Sequence, residues 1–305
     1  MSVQTEYTST IRTTQGRIVK ALGGFYYLDT PEGLLECRAR GVFRKENITP
    51  YVGDLAEAEL TQDGKGYVVG IRERKNFLIR PPVANIDTLV MVVSTVDPAP
   101  NLFVIDKMLA VAEYKEIEPV IAVTKSDLRR GTELLELYGR AGFRCYELSS
   151  ETGEGTEALQ ELFTEGRLVV FSGNTGAGKS SLLNALDPRL GLATGDVSQK
   201  LGRGRHTTRH VELFRIGDGF VADTPGFSSV ELEKFAVIRK EQLQYCFREF
   251  APCLGECRFT DCSHTTEKGC AVLRAVEEGT ISPSRHESYC ALYEDAKKIN
   301  DWELD

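Results

Sequence analysis

A glycine-rich segment near the middle of the chain has the composition of a phosphate-binding loop. Residues 173–180 read Gly-Asn-Thr-Gly-Ala-Gly-Lys-Ser, which fits the spacing G-x-x-x-x-G-K-[ST]. The apolar run 168–171 precedes it and 181–186 follows, so the sequence predicts strand, loop and helix. Backbone N–H groups bind a polyphosphate there, Lys179 reaches the β and γ phosphates, and Ser180 holds Mg²⁺. The predicted phosphate-site residues are Ser172, Gly173, Asn174, Thr175, Gly176, Ala177, Gly178, Lys179, Ser180 and Ser181.

A carboxylate at the end of another apolar run fits the metal side of the same chemistry. The run 219–222 leads into Asp223, then Thr and Pro, then Gly226. We expect Asp223 to organise the magnesium shell and the N–H of Gly226 to face the γ-phosphate. The motif D-x-P-G alone is a common turn, and its place downstream of the phosphate loop favours the functional interpretation.

Between these two motifs lies a glycine-rich basic segment, residues 200–209, which predicts a loop rather than a packed element. A threonine here can complete the metal shell when a γ-phosphate is present. Thr207 and Thr208 are both candidates, and Thr208 is preferred. Phe227 stands where many GTPases carry a water-orienting glutamine, so His206 is the hypothetical catalytic residue that positions water. Contact with RNA is the other role open to His206, and an ordinary solvated loop is the alternative for the whole segment.

Base recognition is expected at residues 124–127, Thr-Lys-Ser-Asp, which end the apolar strand 119–123. The carboxylate of Asp127 accepts hydrogen bonds from guanine N1–H and the 2-amino group, which adenine lacks. Thr124 stands in place of the usual asparagine, and it keeps one hydroxyl but lacks the amide. The predicted base-site residues are Thr124, Lys125, Ser126 and Asp127, with Ser149 and Ser150 as a weaker second loop.

The order of these motifs is the reverse of that in an ordinary GTPase, because 124–127 precedes 173–180. This indicates a nucleotide-binding domain whose ends have been moved. The chain resembles the circularly permuted, ribosome small subunit-dependent GTPases (RsgA, or YjeQ, type), also in residues 80–87 and 202–208. The resemblance covers nearly the whole chain. It implies GTP and GDP as ligands, and as partners the 30S ribosomal subunit and its 16S rRNA, with hydrolysis timing release late in subunit maturation.

A second signal lies near the end of the chain, where Cys257, Cys262, His264 and Cys270 have the spacing C-x₄-C-x-H-x₅-C. Three thiolates and one imidazole suit a closed tetrahedral zinc site, and four protein ligands leave no open position for catalysis. The resembling family shows the same spacing. Cys253 is an alternative ligand. Eight cysteines without a signal peptide argue for a reducing cytosol rather than for disulfides, so we expect a cytoplasmic protein.

The first eighty residues alternate short apolar stretches with turns, which is typical of a small β-barrel, with an OB-fold as the candidate. The resemblance implies the same fold. The chain carries a net charge of −8, but residues 1–82 hold 12 Lys and Arg against 10 Asp and Glu. A basic face with aromatic side chains is typical of RNA binding, and an ordinary solvated surface is the alternative. The residues predicted for this face are Arg38, Arg40, Arg44, Lys45, Arg72, Arg74 and Lys75, with Phe25, Tyr26 and Phe43.

These observations predict an α/β core, namely a circularly permuted P-loop GTPase with a mostly parallel sheet, between an N-terminal OB-fold barrel and a small, mainly helical zinc module. The expected domains are 1–81 for the RNA-binding barrel, 82–235 for the GTPase and 236–305 for the zinc module. Pro81-Pro82, which breaks strand and helix, supports the first boundary. No stretch approaches a membrane span, and a monomer is expected.

Two other function classes stay open at this point. In an ATP-dependent P-loop enzyme, residues 124–127 are an accidental turn. In a GTP-dependent RNA-binding switch with negligible hydrolysis, the nucleotide only sets the conformation on RNA, and Phe227 is compatible with that class.

Overall fold

The computed structural model describes residues 12–41, 43, 48–79, 82–192, 211–223 and 238–299. Five strands at the N-terminal end form a closed barrel, because β1 pairs with both β2 and β4 and the ring continues through β3 and β5. A register irregularity between Ile18 and Lys20 lets the long first strand serve both partners. Alternate side chains point inward, with Ile18, Leu28 and Val68 fully buried. The barrel strands are β1 (Thr13–Leu22), β2 (Phe25–Thr30), β3 (Gly33–Ala39), β4 (Leu55–Leu60) and β5 (Gly66–Ile71).

A short hairpin follows the barrel, made of β6 (Phe77–Ile79) and β7 (Pro82–Ala84). The pair Pro81-Pro82 predicts a break in regular structure, and the structure differs at Pro82, which is itself the first residue of β7. Proline lacks a backbone N–H donor, but it is tolerated as the first residue of a strand, and that is the position of Pro82 in β7.

The central sheet has the strand order β10-β9-β8-β11-β13-β12. All neighbours are parallel except the β12–β13 hairpin. Apolar clusters cover both faces, which explains why all seven residues of β8 are buried. The strands are β8 (Thr88–Ser94), β9 (Glu118–Thr124), β10 (Arg144–Glu147), β11 (Leu168–Ser172), β12 (Glu212–Ile216) and β13 (Gly219–Asp223). The predicted mostly parallel α/β core is confirmed.

Helices connect the strands and form the C-terminal module. Asn101 caps the first helix, because its side chain accepts a hydrogen bond from the N–H of Val104 at 3.2 Å. The helices are α1 (Leu102–Tyr114), α2 (Thr132–Arg140), α3 (Lys179–Leu186), α4 (Lys240–Leu243), α5 (Ala271–Glu277) and α6 (Pro283–Ala296). Short 3₁₀ segments cover Thr156–Leu162, Pro188–Leu190, Gln244–Cys246 and Arg248–Cys253. In the described ranges, no helix has the length and apolar character needed to cross a membrane.

The barrel joins the central sheet through its first strand. Lys20 of β1 pairs with Glu212 of β12, and their side chains form an ion pair at 2.9 Å. Arg215 of β12 makes a second ion pair, with Asp29 of β2. As a result the barrel and the central sheet form one continuous 11-stranded sheet.

The C-terminal module packs on α1. Its aromatic core includes Phe247, Phe250 and Tyr289, and it shares a buried cluster with Ala110 of α1. Two arginines bind carboxylates of the central domain. The buried Arg285 donates to Asp106 at 2.8 Å, and within the module it also pairs with Glu249. Arg248 pairs with Glu113 and Glu118.

Candidate functional site

Three loops that contain the predicted nucleotide residues meet at one edge of the central sheet. They follow β9, β10 and β11, whose carboxyl ends point the same way because the strands are parallel. In open α/β sheets, ligands bind in the crevice outside this edge. The loop after β8 borders the same place, where Ser94, Pro98 and Asn101 line a pocket together with Asn174 and Ala177.

The phosphate loop runs from the end of β11 to the first turn of α3, as the sequence predicts. Gly173 has φ 146°, and a Cβ atom there would lie 2.3 Å from the carbonyl oxygen of Val92. Only glycine allows this close approach to the neighbouring strand. Ser180 and Ser181 lie half-buried in the first turn of α3, while Thr175 and Gly176 are exposed at the tip of the loop.

Lys179 lies folded over this loop. Its ammonium group donates to the carbonyl oxygens of Gly173 at 2.6 Å and Asn174 at 2.8 Å. Burial lowers the pKa of Lys179 to about 8. The ammonium group of Lys179 is therefore partly removed from water at this loop. A bound polyphosphate would supply the negative charge that stabilises it.

Thr124 connects the predicted base-reading loop to the predicted phosphate loop. Its side chain is buried, and its hydroxyl donates to the carbonyl oxygen of Ala177 at 2.7 Å. The two motifs are separated by many residues in sequence, so this hydrogen bond fixes their relative position. Thr124 stands in place of the usual asparagine, and its hydroxyl supplies a contact between the two loops.

Asp127 and Ser149 also meet. Asp127 is exposed, and one of its carboxylate oxygens accepts a hydrogen bond from the hydroxyl of the buried Ser149 at 2.6 Å. The backbone N–H of Ser126 donates to the carbonyl of Leu148 at 3.2 Å. The loops after β9 and β10 are therefore tied together. Ser150 is half-buried in the same turn.

The loop between β8 and α1 also borders this edge, although no sequence motif predicts it. Lys125 donates its ammonium group to the carbonyl oxygen of Asp97 in that loop. Lys125 has a left-handed backbone, with φ 62°, which turns it toward the loop. The segment 95–101 contains no recognisable nucleotide-binding motif. Only the fold shows that it borders the edge where the predicted nucleotide residues meet.

Several predicted residues lie outside the described part of the chain: His206, Thr207, Thr208, Gly226 and Phe227. The backbone of Asp223 ends β13. Strand β13 runs parallel to β11, with Ala222 opposite Val170, so Asp223 follows at the level where the phosphate loop begins.

The four predicted metal ligands come together in the C-terminal module. One ligand atom from each of Cys257, Cys262, His264 and Cys270 lies within 4.8 Å of the others. Cys253 is not a member of this cluster in the described residues. Burial lowers the pKa of His264, which favours the neutral imidazole that a metal needs.

The distances in this cluster fit a tetrahedral ion. The sulfur atoms of Cys257 and Cys270 are 3.9 Å apart, and each lies 3.5 Å from Nδ1 of His264. Ideal tetrahedral geometry with zinc–sulfur and zinc–nitrogen bonds of about 2.3 and 2.05 Å gives about 3.8 and 3.6 Å. Backbone N–H groups of Ala271 and Leu273 point at two of the sulfurs, as is favourable for thiolates. The cluster can therefore hold a metal ion.

The predicted basic face of the barrel differs from expectation. Phe43 is only 5% exposed and belongs to the barrel core, not to the face. Arg74 is bound to Asp54, and Lys75 to Asp87. Arg40 pairs with Glu59, while Arg72 donates to Gln15. Tyr26 packs partly against the core, and Arg44 and Lys45 lie outside the described residues.

A row of three side chains crosses the barrel instead. In the strand register, Phe25 of β2 lies opposite Arg38 of β3, which lies opposite Tyr67 of β5. The guanidinium of Arg38 lies 4.6 Å from the centre of the Phe25 ring, and Tyr67 is 42% exposed. We call Phe25, Arg38 and Tyr67 the barrel row.

Comparison with protein-family models gives two matches that together span most of the chain. The RsgA N-terminal domain matches residues 15–68, and the RsgA GTPase matches residues 71–233. The chain belongs to the RsgA GTPase family. It is a GTP-hydrolysing enzyme, and the circular permutation inferred from motif order is confirmed.

Curated RsgA relatives and solved structures agree with this assignment. A protein of Caldanaerobacter subterraneus subsp. tengcongensis named "Small ribosomal subunit biogenesis GTPase RsgA" is 45% identical over 93% of this chain and 96% of its own length. One from Bacillus anthracis with the same name is 45% identical over 93% and 98%. The crystal structure of YjeQ from Thermotoga maritima is similar with a TM-score of 0.82 and 34% identity, covering 95% of this chain and 100% of that one. The crystal structure of YloQ, a circularly permuted GTPase, is similar with a TM-score of 0.79 and 35% identity, covering 97% of this chain and 98% of that one.

Proposed function

We propose that this RsgA-family GTPase is a late maturation factor of the 30S ribosomal subunit, and that it hydrolyses GTP to time its release. One observation carries the proposal: the phosphate and base-reading loops converge and are joined by the Thr124–Ala177 hydrogen bond, in a chain of RsgA type over nearly its whole length. Relatives 45% identical are named small ribosomal subunit biogenesis GTPases. A cytoplasmic monomer, acting where subunits mature, belongs to this proposal.

For guanine recognition we assign the main role to Asp127. Its carboxylate accepts hydrogen bonds from guanine N1–H and the 2-amino group, while Ser149 holds one carboxylate oxygen in place. The stem of Lys125 covers the base. The remaining base-site residues are Thr124, Ser126 and Ser150.

For the phosphates and Mg²⁺ we assign the segment 172–181. The N–H groups of the loop bind the phosphates, Lys179 neutralises the β and γ charges, and Ser180 donates an oxygen to the magnesium ion. Thr208, Asp223 and Gly226 complete the site on the γ-phosphate side.

For the hydrolytic step we assign water positioning to His206, because Phe227 has no hydrogen-bonding group. Hydrolysis by the free protein is then slow, and the 30S subunit accelerates it. A His206→Ala variant that keeps full stimulated turnover would exclude this role.

For the metal centre we assign one structural zinc ion, held by Cys257, Cys262, His264 and Cys270. Zinc is the metal of choice for three thiolates and an imidazole at tetrahedral distances. With four protein ligands, the ion stabilises the module and takes no part in hydrolysis.

For RNA we propose that the barrel binds 16S rRNA, with the barrel row stacking on unpaired bases and Arg38 contacting phosphate. Stacking on aromatic rings together with cationic contacts is how OB-folds hold single strands. The domain limits proposed for these functions are 1–81, 82–235 and 236–305.

The deciding experiment is nucleotide turnover by the purified protein, with and without 30S subunits, at fixed magnesium and salt. We expect weak hydrolysis of GTP alone, strong stimulation by 30S subunits and no use of ATP. Asp127→Ala is the matched variant, expected to lose GTP hydrolysis while keeping its fold, since Asp127 is exposed.

The other outcomes separate the alternatives. Equal use of ATP would overturn the assignment of residues 124–127. GTP turnover indifferent to 30S subunits would leave a GTPase with another partner. Binding of GTP to 30S complexes with no turnover would indicate a switch that does not hydrolyse.

A further inference from the structure

Gln244, which is not one of the four metal ligands, contacts the imidazole ring of His264 directly. Nδ1 of His264 faces the sulfurs of Cys257 and Cys270, and the opposite ring nitrogen, Nε2, lies 2.8 Å from Oε1 of Gln244. An imidazole that binds a metal through Nδ1 keeps its proton on Nε2. That N–H needs an acceptor, because His264 is only 3% exposed.

Gln244 is oriented to be that acceptor. Its amide nitrogen donates to the carbonyl oxygen of Glu241 at 3.1 Å, so its amide oxygen is left to face His264. The flipped amide would place two donors against each other and lose both hydrogen bonds. Within the described ranges, Gln244 is the hydrogen-bond partner of Nε2.

The position of Gln244 in the chain gives this contact a second consequence. It begins the 3₁₀ turn Gln244–Cys246, directly after α4. Its neighbours Leu243 and Cys246 are buried in the cluster that includes Ala110 of α1. The segment 243–246 therefore contacts the metal centre through the side chain of Gln244, while Leu243 and Cys246 pack in the buried cluster that includes Ala110 of the GTPase helix α1.

We propose that Gln244 is the positioning residue of the metal centre, that it selects Nδ1 of His264 as the ligand atom, and that it fastens the 240–246 junction to the occupied centre. Acceptors behind a metal-bound histidine fix its tautomer and ring orientation, and their loss typically costs about 10- to 100-fold in metal affinity. The inference concerns the metal centre and the junction, so it holds whether or not the 30S subunit is the partner.

The first test measures metal binding by three variants of the full chain. Gln244→Leu removes the acceptor at similar size, Gln244→Glu restores an acceptor, and Gln242→Leu makes the same change at an exposed site two residues away. Zinc affinity is measured against a coloured chelator, and site geometry from the absorption bands of bound Co²⁺. We expect Gln244→Leu to lose about 10- to 100-fold in affinity and to alter the Co²⁺ bands. Gln244→Glu and Gln242→Leu should stay close to the wild type.

Equal affinities and spectra for Gln244→Leu and Gln242→Leu would overturn the positioning role. Should Gln244→Leu fail to fold, the role is decided by Gln244→Glu, because loss of affinity in that variant also contradicts an acceptor function.

The second test measures the junction through Cys246, which is 3% exposed. Alkylation is quantified by peptide mass mapping, which separates Cys246 from the ligand cysteines. We expect faster labelling of Cys246 in zinc-loaded Gln244→Leu and in chelator-treated wild type, but not in Gln242→Leu. If Cys246 stayed equally protected in zinc-loaded Gln244→Leu and in chelator-treated wild type, the proposed attachment of the 240–246 junction to the metal centre would be overturned.

Discussion

Arg285 of α6 and Asp106 of α1 form an ion pair at 2.8 Å in which neither side chain reaches solvent. The guanidinium also binds both carboxylate oxygens of Glu249 and lies 4.6 Å from the centre of the Phe247 ring. The C-terminal module is thus attached to the helix that follows the loop at the nucleotide edge. A charge in this position is tolerated only while its partners stay in place.

We expect Arg285→Met to destabilise the protein by about 3–5 kcal/mol, because it leaves two carboxylates buried without their cation. Stability is measured by urea unfolding, with hydrogen exchange of α1 and α6 to locate the effect. The control is Lys298→Met, which removes an exposed ion pair with Asp295 and should leave the stability nearly unchanged, because solvent screens that pair. Equal losses for the two variants would contradict the structural role of Arg285.

Thr124→Val should weaken the binding of both GTP and GDP by about 1–3 kcal/mol. The change removes the hydroxyl and leaves the Ala177 carbonyl without its donor, at nearly constant volume. Thr124→Ser keeps the hydroxyl and should retain most of the affinity. Binding is measured by isothermal calorimetry, together with inosine nucleotides. If the ratio of the affinities for guanine and inosine nucleotides changed, Thr124 would instead be assigned a direct contact with the base.

Ser149→Ala should weaken guanine nucleotide binding by about 1–2 kcal/mol, because Asp127 loses the hydroxyl that fixes one carboxylate oxygen. Ser150→Ala is the matched control at the neighbouring position, and we expect little change. Fluorescent GDP displacement measures both. If Ser150→Ala proves the more damaging variant, the roles of the two serines are reversed.

Nucleotide affinity should fall as the pH rises through about 8. Burial lowers the pKa of Lys179 to about 8 in the free protein. A bound phosphate favours the charged amine and raises this pKa again, so affinity is full below about pH 8 and declines above it. Dissociation constants for GDP between about pH 7 and about pH 9 test this. Lys179→Arg remains charged throughout, so its residual binding should not change, and an equal slope in that variant would assign the titration to another group.

Binding to 30S subunits should weaken as salt rises, and Tyr67→Ala should weaken it by about 1–3 kcal/mol through lost stacking. The control is Leu34→Ala on the same barrel, at a side chain that is 67% exposed. Filter binding at two salt concentrations measures both the salt dependence of the affinity and the effect of each substitution. Affinity that is independent of salt, or equal losses in the two variants, would move the RNA contact away from the barrel row.

Much of the architecture follows from local sequence. The strand-loop-helix around Gly173, the short barrel strands and the ligand spacing of Cys257 to Cys270 depend on neighbours in the chain, and all are found where the patterns place them. Contacts across the fold are different. The Thr124–Ala177 bond and the Gln244–His264 bond depend on which loops the sheet brings together, and no spacing reveals them.

Phe43 shows the same limit on the barrel. An aromatic ring among basic residues has the composition of an RNA-binding face, yet the local sequence does not show whether Phe43, which lies between β3 and β4, packs into the barrel or faces solvent. Phe43 packs in the barrel core, while Tyr67, which lies in the apolar sequence of β5, is exposed. Tertiary packing decides which ring faces solvent.

The pairing of Lys20 with Glu212 makes β12 the strand that receives the barrel at the end of the central sheet. Strand β12 begins at Glu212, just after the segment 193–210, and its hairpin partner β13 ends at Asp223, just before the segment 224–237. The barrel is therefore attached directly to the hairpin that separates these two segments, and Arg17 of β1 also donates to the carbonyl oxygen of Gly166 at 3.1 Å.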